Sequence, residues 1–291
     1  MSDQDTLEHL EAEIAAILDP LGGRSAVAAR RAGRPLARAL PVVGGHSARD
    51  DDHDTPAKSA PPLDVALRVD EVFPAASLAK IPVAIELMRR VDMGQFDLGE
   101  RLDTADVARV GGGGVLDYLD PSTRLTLGDL LTLMLIVSDN TAANALLDLV
   151  GMGEVNETMS RLNLTHTRLA RHFMDFEARR ARRDNLTTAA ETLTLMELLR
   201  GNALPGGRRL RETLAAQQSF AELTEGWLPS GARLAHKDGA LEDTIHDAGI
   251  LSGPSGAGVY SILTTGQADI PAARAAVGRV LRLLWDAWGL A

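Results

Sequence analysis

The segment Ser77-Leu78-Ala79-Lys80-Ile81-Pro82-Val83-Ala84-Ile85-Glu86-Leu87-Met88 joins a chemically distinctive tetrad to a helical pattern. Ile81, Ala84, Ile85 and Met88 recur on one face, which predicts a helix running from Ser77 to about Val91. Proline is tolerated only in a first turn, where its missing N–H is not needed, so Pro82 puts Ser77 at or near the amino end. Serine and lysine three apart share a helix face, close enough for an amine to take a hydroxyl proton. The free N–H groups at a helix start also favour a developing oxyanion. The tetrad gains weight because Lys58, Lys80 and Lys237 are the only lysines among thirty lysines and arginines. A guanidinium stays charged at any accessible pH, whereas a desolvated amine can be neutral, so a retained lysine points to proton transfer.

Working outward, residues 5–18 carry Leu7, Leu10, Ile14, Ala15 and Leu18 at helical spacing, and Asp19-Pro20-Leu21-Gly22-Gly23 ends that helix. Arg24–Ala32 and Arg38–Val43 read as a strand pair. The polar, proline-rich 44–63 segment reads as a solvated insertion, and nothing in its Asp50-Asp51-Asp52-His53-Asp54 run imposes metal-ligand geometry. Helices are predicted over 127–137, 141–150, 154–162 and 189–199. Strands are predicted over Arg233–Ala240, Asp247–Ser252 and Gly258–Thr264, with a closing helix over Pro271–Trp288. Strands at both chain ends and helices in the middle imply an α/β protein of α+β sandwich type. An antiparallel sheet is built from residues 1–65 and 205–291 and flanked by the terminal helices, and residues 66–204 form a mainly helical subdomain.

A formal charge of −10 over 291 residues argues against nucleic acid or an anionic membrane surface as partner. No cysteine is present, which excludes a disulfide framework and a thiolate zinc site. The acidic Met1–Asp5 start differs from the basic region of a secretory leader, and Leu130–Val137 is far shorter than the roughly 20 residues of a membrane span. The expected location is the cytoplasm.

Two further elements are candidates for chemistry. Ser138-Asp139-Asn140 lies between two apolar helical segments, where it reads either as a helix cap or as a turn facing a cleft. Lys237-Asp238-Gly239 reads either as a tight turn after a strand or as part of the strand itself. In order, and separated by 61 and 99 positions, the three elements resemble the SxxK, SDN and lysine-X-glycine signature of class A β-lactamases and penicillin-binding proteins. That resemblance covers the chain from about residue 24 onward and implies a β-lactamase/transpeptidase-like fold. It implies Ser77 as the acylated nucleophile, Lys80 as its base and Ser138 as the proton donor to the leaving nitrogen. Asn140 would orient the substrate amide, Lys237 would supply positive potential, and the backbone N–H groups of Ser77 and Ala240 would form the oxyanion hole. Asp139, Asp238 and Gly239 fall at the implied substrate-binding edge. The glutaminase branch shares the serine-lysine pair, but Ser138-Asp139-Asn140 belongs to the lactam branch.

Two departures stand out. The family deacylates with a glutamate on an Ω-shaped loop, whose counterpart here is Arg171-His172-Phe173-Met174-Asp175-Phe176-Glu177, closing at Asp184. Phe173 falls at the glutamate position, which leaves Asp175 or Glu177 to hold a deacylating water, while Arg171 and Asp184 can still form the ion pair that pins the loop. Asp238 replaces a hydroxyl residue that would bond a substrate carboxylate. An ionised Asp238 repels an anion about 4 Å away by about 1–4 kcal/mol between aqueous and protein-surface dielectrics. Lys237 offsets part of that field, so the expected substrate is neutral or cationic.

The Arg179, Arg180, Arg182 and Arg183 cluster reads as a solvated loop face, and Gly111–Gly114 is no phosphate cradle, lacking a following lysine. His166, His172, His236 and His246 are scattered and read as structural or exposed. The resulting expectation is a serine hydrolase that opens a β-lactam or a related amide or ester through an acyl-serine, with weak deacylation. The alternatives are a peptidase or esterase on a small amide or ester, and a penicillin-binding module without turnover. The partner is a small molecule, and no metal or organic cofactor is implied.

Overall fold

Residues 24–31 are small or apolar inside and cationic at both ends, and they form the strand on which the sheet closes. The structure is a computed structural model that describes residues 3–32, 64–219 and 226–291. The predicted strand over Arg38–Val43, the 44–63 insertion and Lys58 lie outside the described residues. β1 (Arg24–Arg31) pairs with β2 (Val65–Leu67) on one side and with the last strand on the other. The five-stranded sheet runs in the order β2-β1-β9-β8-β7 and is antiparallel throughout, with β7 (Arg233–Leu241), β8 (Thr244–Gly253) and β9 (Gly256–Thr265) as two successive hairpins. Both termini therefore contribute to one sheet. The Asp238-Gly239 pair is strand rather than turn, since Asp238 opposes Asp247 and the chain reverses beyond Leu241.

Alternation along β8 sends Ile245 and Leu251 to one face and Ala248 and Ile250 to the other. On the first face, Tyr260 and Ile262 of β9 pack with Ile14 of α1 (Asp3–Leu18) and with Val277, Leu281 and Trp285 of α9 (Ile270–Ala287). Asp269 caps α9 by accepting from the Ala272 N–H at 2.9 Å, with Pro271 in the first turn. On the second face, Val259 and Leu263 join Leu195, Met196 and Leu199 of α7 (Ala189–Arg200), and that core continues into the helical half. Each such side chain fully withdrawn from water contributes roughly 1.5–3 kcal/mol, so burial on both faces fixes the strand register.

The helical half comprises α2 (Lys80–Asp92), α3 (Leu127–Ile136), α4 (Asn140–Val150), α5 (Met152–Arg161), the short α6 (Phe176–Arg180) and α8 (Gly207–Ala215) around Leu87, Leu130, Leu131, Met134 and Leu146. Thr126 and Asp129 close a reciprocal capping box at the start of α3. Two small ribbons, β3 (Phe73–Pro74) with β6 (Leu186–Thr187) and β4 (Arg101–Asp103) with β5 (Arg124–Thr126), tie the helical half to its loops. Ser77 lies in the 3₁₀ turn Ala76–Ala79 that feeds α2, at the seam between the halves.

Candidate active site

Ser77, Lys80, Ser138 and Asn140 converge on one amine. Lys80 Nζ lies 3.2 Å from Ser77 Oγ, 2.6 Å from the Ser138 carbonyl, 2.9 Å from Ser138 Oγ and 2.8 Å from Asn140 Oδ1. An ammonium has three hydrogens for these four oxygens. A neutral amine meets three of them when its two N–H groups serve the Ser138 carbonyl and Asn140 Oδ1, obligatory acceptors, and its lone pair takes one serine O–H, which lets Ser77 and Ser138 alternate at that lone pair. Lys80 is fully buried. Burial pushes its pKa well below the ordinary lysine range, Lys237 pushes the same way, and Asp238 and Asp139 oppose only in part. The amine is thus disposed to accept the Ser77 proton.

Two strained residues hold the hydroxyls in place. Ala76 (φ 47°) and Ser138 (φ 55°) occupy the left-handed region, which costs a non-glycine residue about 1–3 kcal/mol. What over-determines Ser138 is the next residue. Asp139 Oδ1 caps α4 by accepting from the Ala142 N–H at 2.9 Å, and Oδ2 accepts from the N–H groups of Val115 and Leu116 at 2.8 and 2.7 Å. Asp139 is only 1% exposed. Its carboxylate is thus occupied by backbone, and it acts on the site by fixing Ser138 and Asn140. The Gly111–Gly114 loop completes this turn, because Asn140 Nδ2 donates to the Gly111 carbonyl at 3.1 Å and the Asn140 N–H to the Gly113 carbonyl at 3.3 Å. A Cβ on Gly114 would collide with the Asp139 side chain at 2.3 Å. The glycines are needed so that the loop can wrap the SDN turn.

β7 forms the opposite wall. A Cβ at Gly239 would stand 3.2 Å from the Ala76 Cβ and 3.4 Å from the Ser77 nitrogen, so the bare glycine lets the strand lie against the Ser77 turn. Ala240 follows as an exposed residue of that strand. Lys237 is fully buried, and its Nζ meets Asp238 Oδ1 at 2.5 Å. Burial alone would raise the Asp238 pKa, but the Lys237 charge and hydrogen bond outweigh it and hold the carboxyl below its ordinary range. Behind Gly239, His246 donates from Nε2 to the Pro74 carbonyl at 2.7 Å and accepts the Thr264 N–H on Nδ1 at 3.1 Å. Both nitrogens are committed to the neutral ring, and burial pushes the pKa down to about 4 despite the Pro74 bond.

The Ω-loop is built as its ion pair implies but carries an aromatic ring inward. Arg171 Nε lies 2.8 Å from Asp184 Oδ1, and Asn185 Oδ1 accepts from the N–H groups of Ala170 and Arg171. The Asn185 carbonyl in turn accepts the Ala75 N–H at 2.7 Å, which joins the loop to the Ser77 turn. The Phe173 ring centre lies 5.0 Å from Lys80 Nζ. Asn144 clamps Phe173 at both ends of its peptide, accepting from its N–H at 2.8 Å and donating to its carbonyl at 3.1 Å. Asp175 instead caps α6 through the Ala178 N–H at 2.9 Å and lines a cavity of about 780 Å³ together with Asn144, Asp148, His172 and Phe173. Glu177 is exposed. The loop residue that meets Lys80 is the phenylalanine.

Residues 59–288 match the model of the β-lactamase enzyme family. The chain belongs to that family. A β-lactamase from Sphaerobacter thermophilus is 27% identical, with 97% of each chain covered and a TM-score of 0.76. A mutant of PBP-A, solved as its acyl-enzyme complex with penicillin G, is 23% identical over 97% of each chain with a TM-score of 0.77. The β-lactamase regulatory protein BlaB of Streptomyces cacaoi is 25% identical, covering 75% of this chain and 86% of its own. The fold is that of β-lactamases and penicillin-binding proteins, and the chain is a class A β-lactamase-like serine hydrolase. Among the described residues, no helix is long and apolar enough to cross a membrane, and no group of three or more His, Asp or Glu is placed to hold a metal.

Three contributors to this β-lactamase-like site escaped the sequence reading. Asn144 is simply a polar residue inside a helix, Gln217 follows α8 without a motif, and Gly111–Gly114, no phosphate cradle, offers no other signal. The cue that was available is Asn140-Thr141-Ala142-Ala143-Asn144, which puts two buried amides four apart on one helix face.

Proposed function

We propose that this protein acylates Ser77 with a β-lactam or a related small amide or ester, and that it releases the acyl group slowly. The observation that carries the first half is the buried Lys80 amine, within hydrogen-bonding reach of both Ser77 Oγ and Ser138 Oγ. In this reading, Lys80 Nζ takes the Ser77 proton as Oγ bonds the substrate carbonyl carbon. The oxyanion is met by the N–H groups of Ser77 and Ala240. The carbonyl-to-nitrogen bond then breaks, the proton passing from Lys80 through Ser138 Oγ to the leaving nitrogen. Asn140 orients the substrate amide, and Lys237 adds positive potential to the wall.

Slow release is supported by the ring at the Phe173 position. Water must add to the acyl-serine and break the Ser77 ester, and a hydrocarbon ring can neither hold that water nor take its proton. Asp175 is engaged as a cap and Glu177 is exposed, which speaks against either as a substitute. The same feature favours the second reading, a penicillin-binding module that acylates once. Intact-mass spectrometry after penicillin G tests both. A penicilloyl adduct absent from Ser77→Ala is expected within minutes and should persist for hours. No adduct on the intact protein from either penicillin G or a p-nitrophenyl ester sinks the reading; an adduct cleared in seconds, with fast nitrocefin turnover, sinks slow release.

A further inference from the structure

The wall beside Ser77 carries a charge pattern unsuited to an anionic substrate. Lys237 is the lysine on that strand, and its charge is already met by Asp238 Oδ1 at 2.5 Å. Gln217, at the end of α8, donates from Nε2 to the same Oδ1 at 2.5 Å, and its own Oε1 accepts the Ser219 N–H at 3.0 Å. Asp238 is 5% exposed and fixed by two donors from different elements. The next residue is Gly239, whose missing side chain lets the strand touch the nucleophile turn, so Asp238 stands one residue from the point where β7 meets Ser77. A hydroxyl at this place could donate to a substrate carboxylate. An ionised carboxylate can only accept.

We infer that Asp238, held by Lys237 and Gln217, is a specificity-determining residue that selects acyl donors bearing an uncharged hydrogen-bond donor, such as a carboxamide, where β-lactams bear a carboxylate. This inference rests on the acyl-serine reading and narrows its substrate class. It assigns Gln217 a role as the positioning residue that keeps the Asp238 carboxylate from turning away from the wall. The internal ion pair uses the attraction that Lys237 would otherwise offer an anion, and the carboxylate oxygens presented beside it can accept hydrogen bonds but not donate them.

The test compares two acyl donors that differ only at that group, benzylpenicillin and its carboxamide, by the rate at which Ser77 is labelled in the intact protein. The expected result is that the carboxamide labels the native protein about tenfold faster than the acid, within the range of a like-charge contact near a protein surface. Asp238→Asn keeps the shape, removes the charge and is expected to reverse the order, as is Asp238→Thr. Gln217→Ala should shrink the preference without inverting it. A p-nitrophenyl ester, with Ser77→Ala as control, reports separately whether the serine reacts. Equal preference in the native protein and Asp238→Asn overturns the inference, as does a native protein that favours the acid. Ester labelling of Ser77 with neither penicillin derivative reacting also overturns it while leaving the serine chemistry intact. No label on Ser77 from any of the three removes the acyl-serine reading and this inference together.

Discussion

The two walls of the Ser77 cleft are built to different standards of chemistry. On the Lys80 side the polar groups are arranged as proton transfer would require: Lys80 touches Ser77, Ser138 and Asn140, and Asp139 locks the turn that presents them. On the Ω-loop side the scaffold is equally well made, with Arg171 paired to Asp184 and Asn144 clamping residue 173 from both ends, yet what it presents to Lys80 is a phenyl ring. A loop this carefully positioned around an inert group teaches that positioning and reactivity are separable in this fold. The first is kept by backbone bonds, and the second turns on a single side chain.

The most direct way to break that contrast is Lys80→Ala. If the amine is the base on the acylation side, Ser77 labelling by penicillin G slows by about 10³-fold, within the range for a positioned general base. The rate is to be read well below the melting temperature, since Ser138 and Asn140 lose a buried partner. Labelling within about tenfold of the native rate would show that the Lys80 cluster is structural and that the contrast between walls is false.

Acid should damage the acylation wall through His246. Its pKa is about 4 in the fold against an ordinary 6.5, so between these values the unfolded chain binds the extra proton and stability falls as pH falls. The loss develops below about pH 6.5 and is complete near pH 4, with a size of about 3 kcal/mol at 1.36 kcal/mol per pH unit. A proton on Nδ1 would also face the Thr264 N–H, and the bond from Nε2 to Pro74 supports the turn before Ser77. Chemical denaturation at pH 7 and pH 4.5 checks this. His246→Gln should flatten the profile, and an equal acid loss in that variant assigns the effect elsewhere.

Phe173→Glu sharpens the contrast from the other side. It places a carboxylate on a backbone that Asn144 already fixes, beside Lys80, and the penicilloyl adduct should clear about 10²-fold faster, the lower part of the range for acid–base catalysis. Acylation itself should change little. An adduct lifetime equal to that of the native protein would mean that the loop sits too far from the ester for any side chain at 173 to serve.

How much of this was legible beforehand follows the same division. Ser77, Lys80, Ser138, Asn140 and Lys237 stand out through the order and spacing of three motifs that resemble a family signature, with the scarcity of lysine as the chemical cue, and the alternating β8 and β9 patterns bury side chains on both faces, so the sheet could be read. The Arg171 and Asp184 pairing followed from the resemblance, which places an arginine and an aspartate at the two ends of this loop. Asp139 illustrates the limit. Its place in the motif suggests contact with substrate, but two backbone N–H groups from residues 115 and 116 claim one oxygen, and no local pattern reveals a loop that folds back from so far along the chain. Asn144 and Gln217 were hidden likewise, since an amide accepts or donates to whatever the tertiary fold brings to it. The Lys237-Asp238-Gly239 ambiguity between turn and strand was settled only by register with β8.

The smallest predicted effect also isolates the clamp. Asn144→Ala removes both bonds to the Phe173 peptide and leaves a buried N–H and carbonyl without partners, which costs about 1–3 kcal/mol of stability, measurable by denaturation. On the native background it should hardly alter adduct lifetime, because a phenyl ring performs no proton transfer whether held tightly or loosely. On the Phe173→Glu background it should return most of the gained deacylation, because general-base catalysis requires the carboxylate within hydrogen-bond reach of the water. The two substitutions are therefore expected to be non-additive in deacylation rate, as contacting residues are. If they prove additive, the carboxylate finds its place without the amide, and the care with which residue 173 is held has to do with packing around Lys80 rather than with preserving a geometry for hydrolysis.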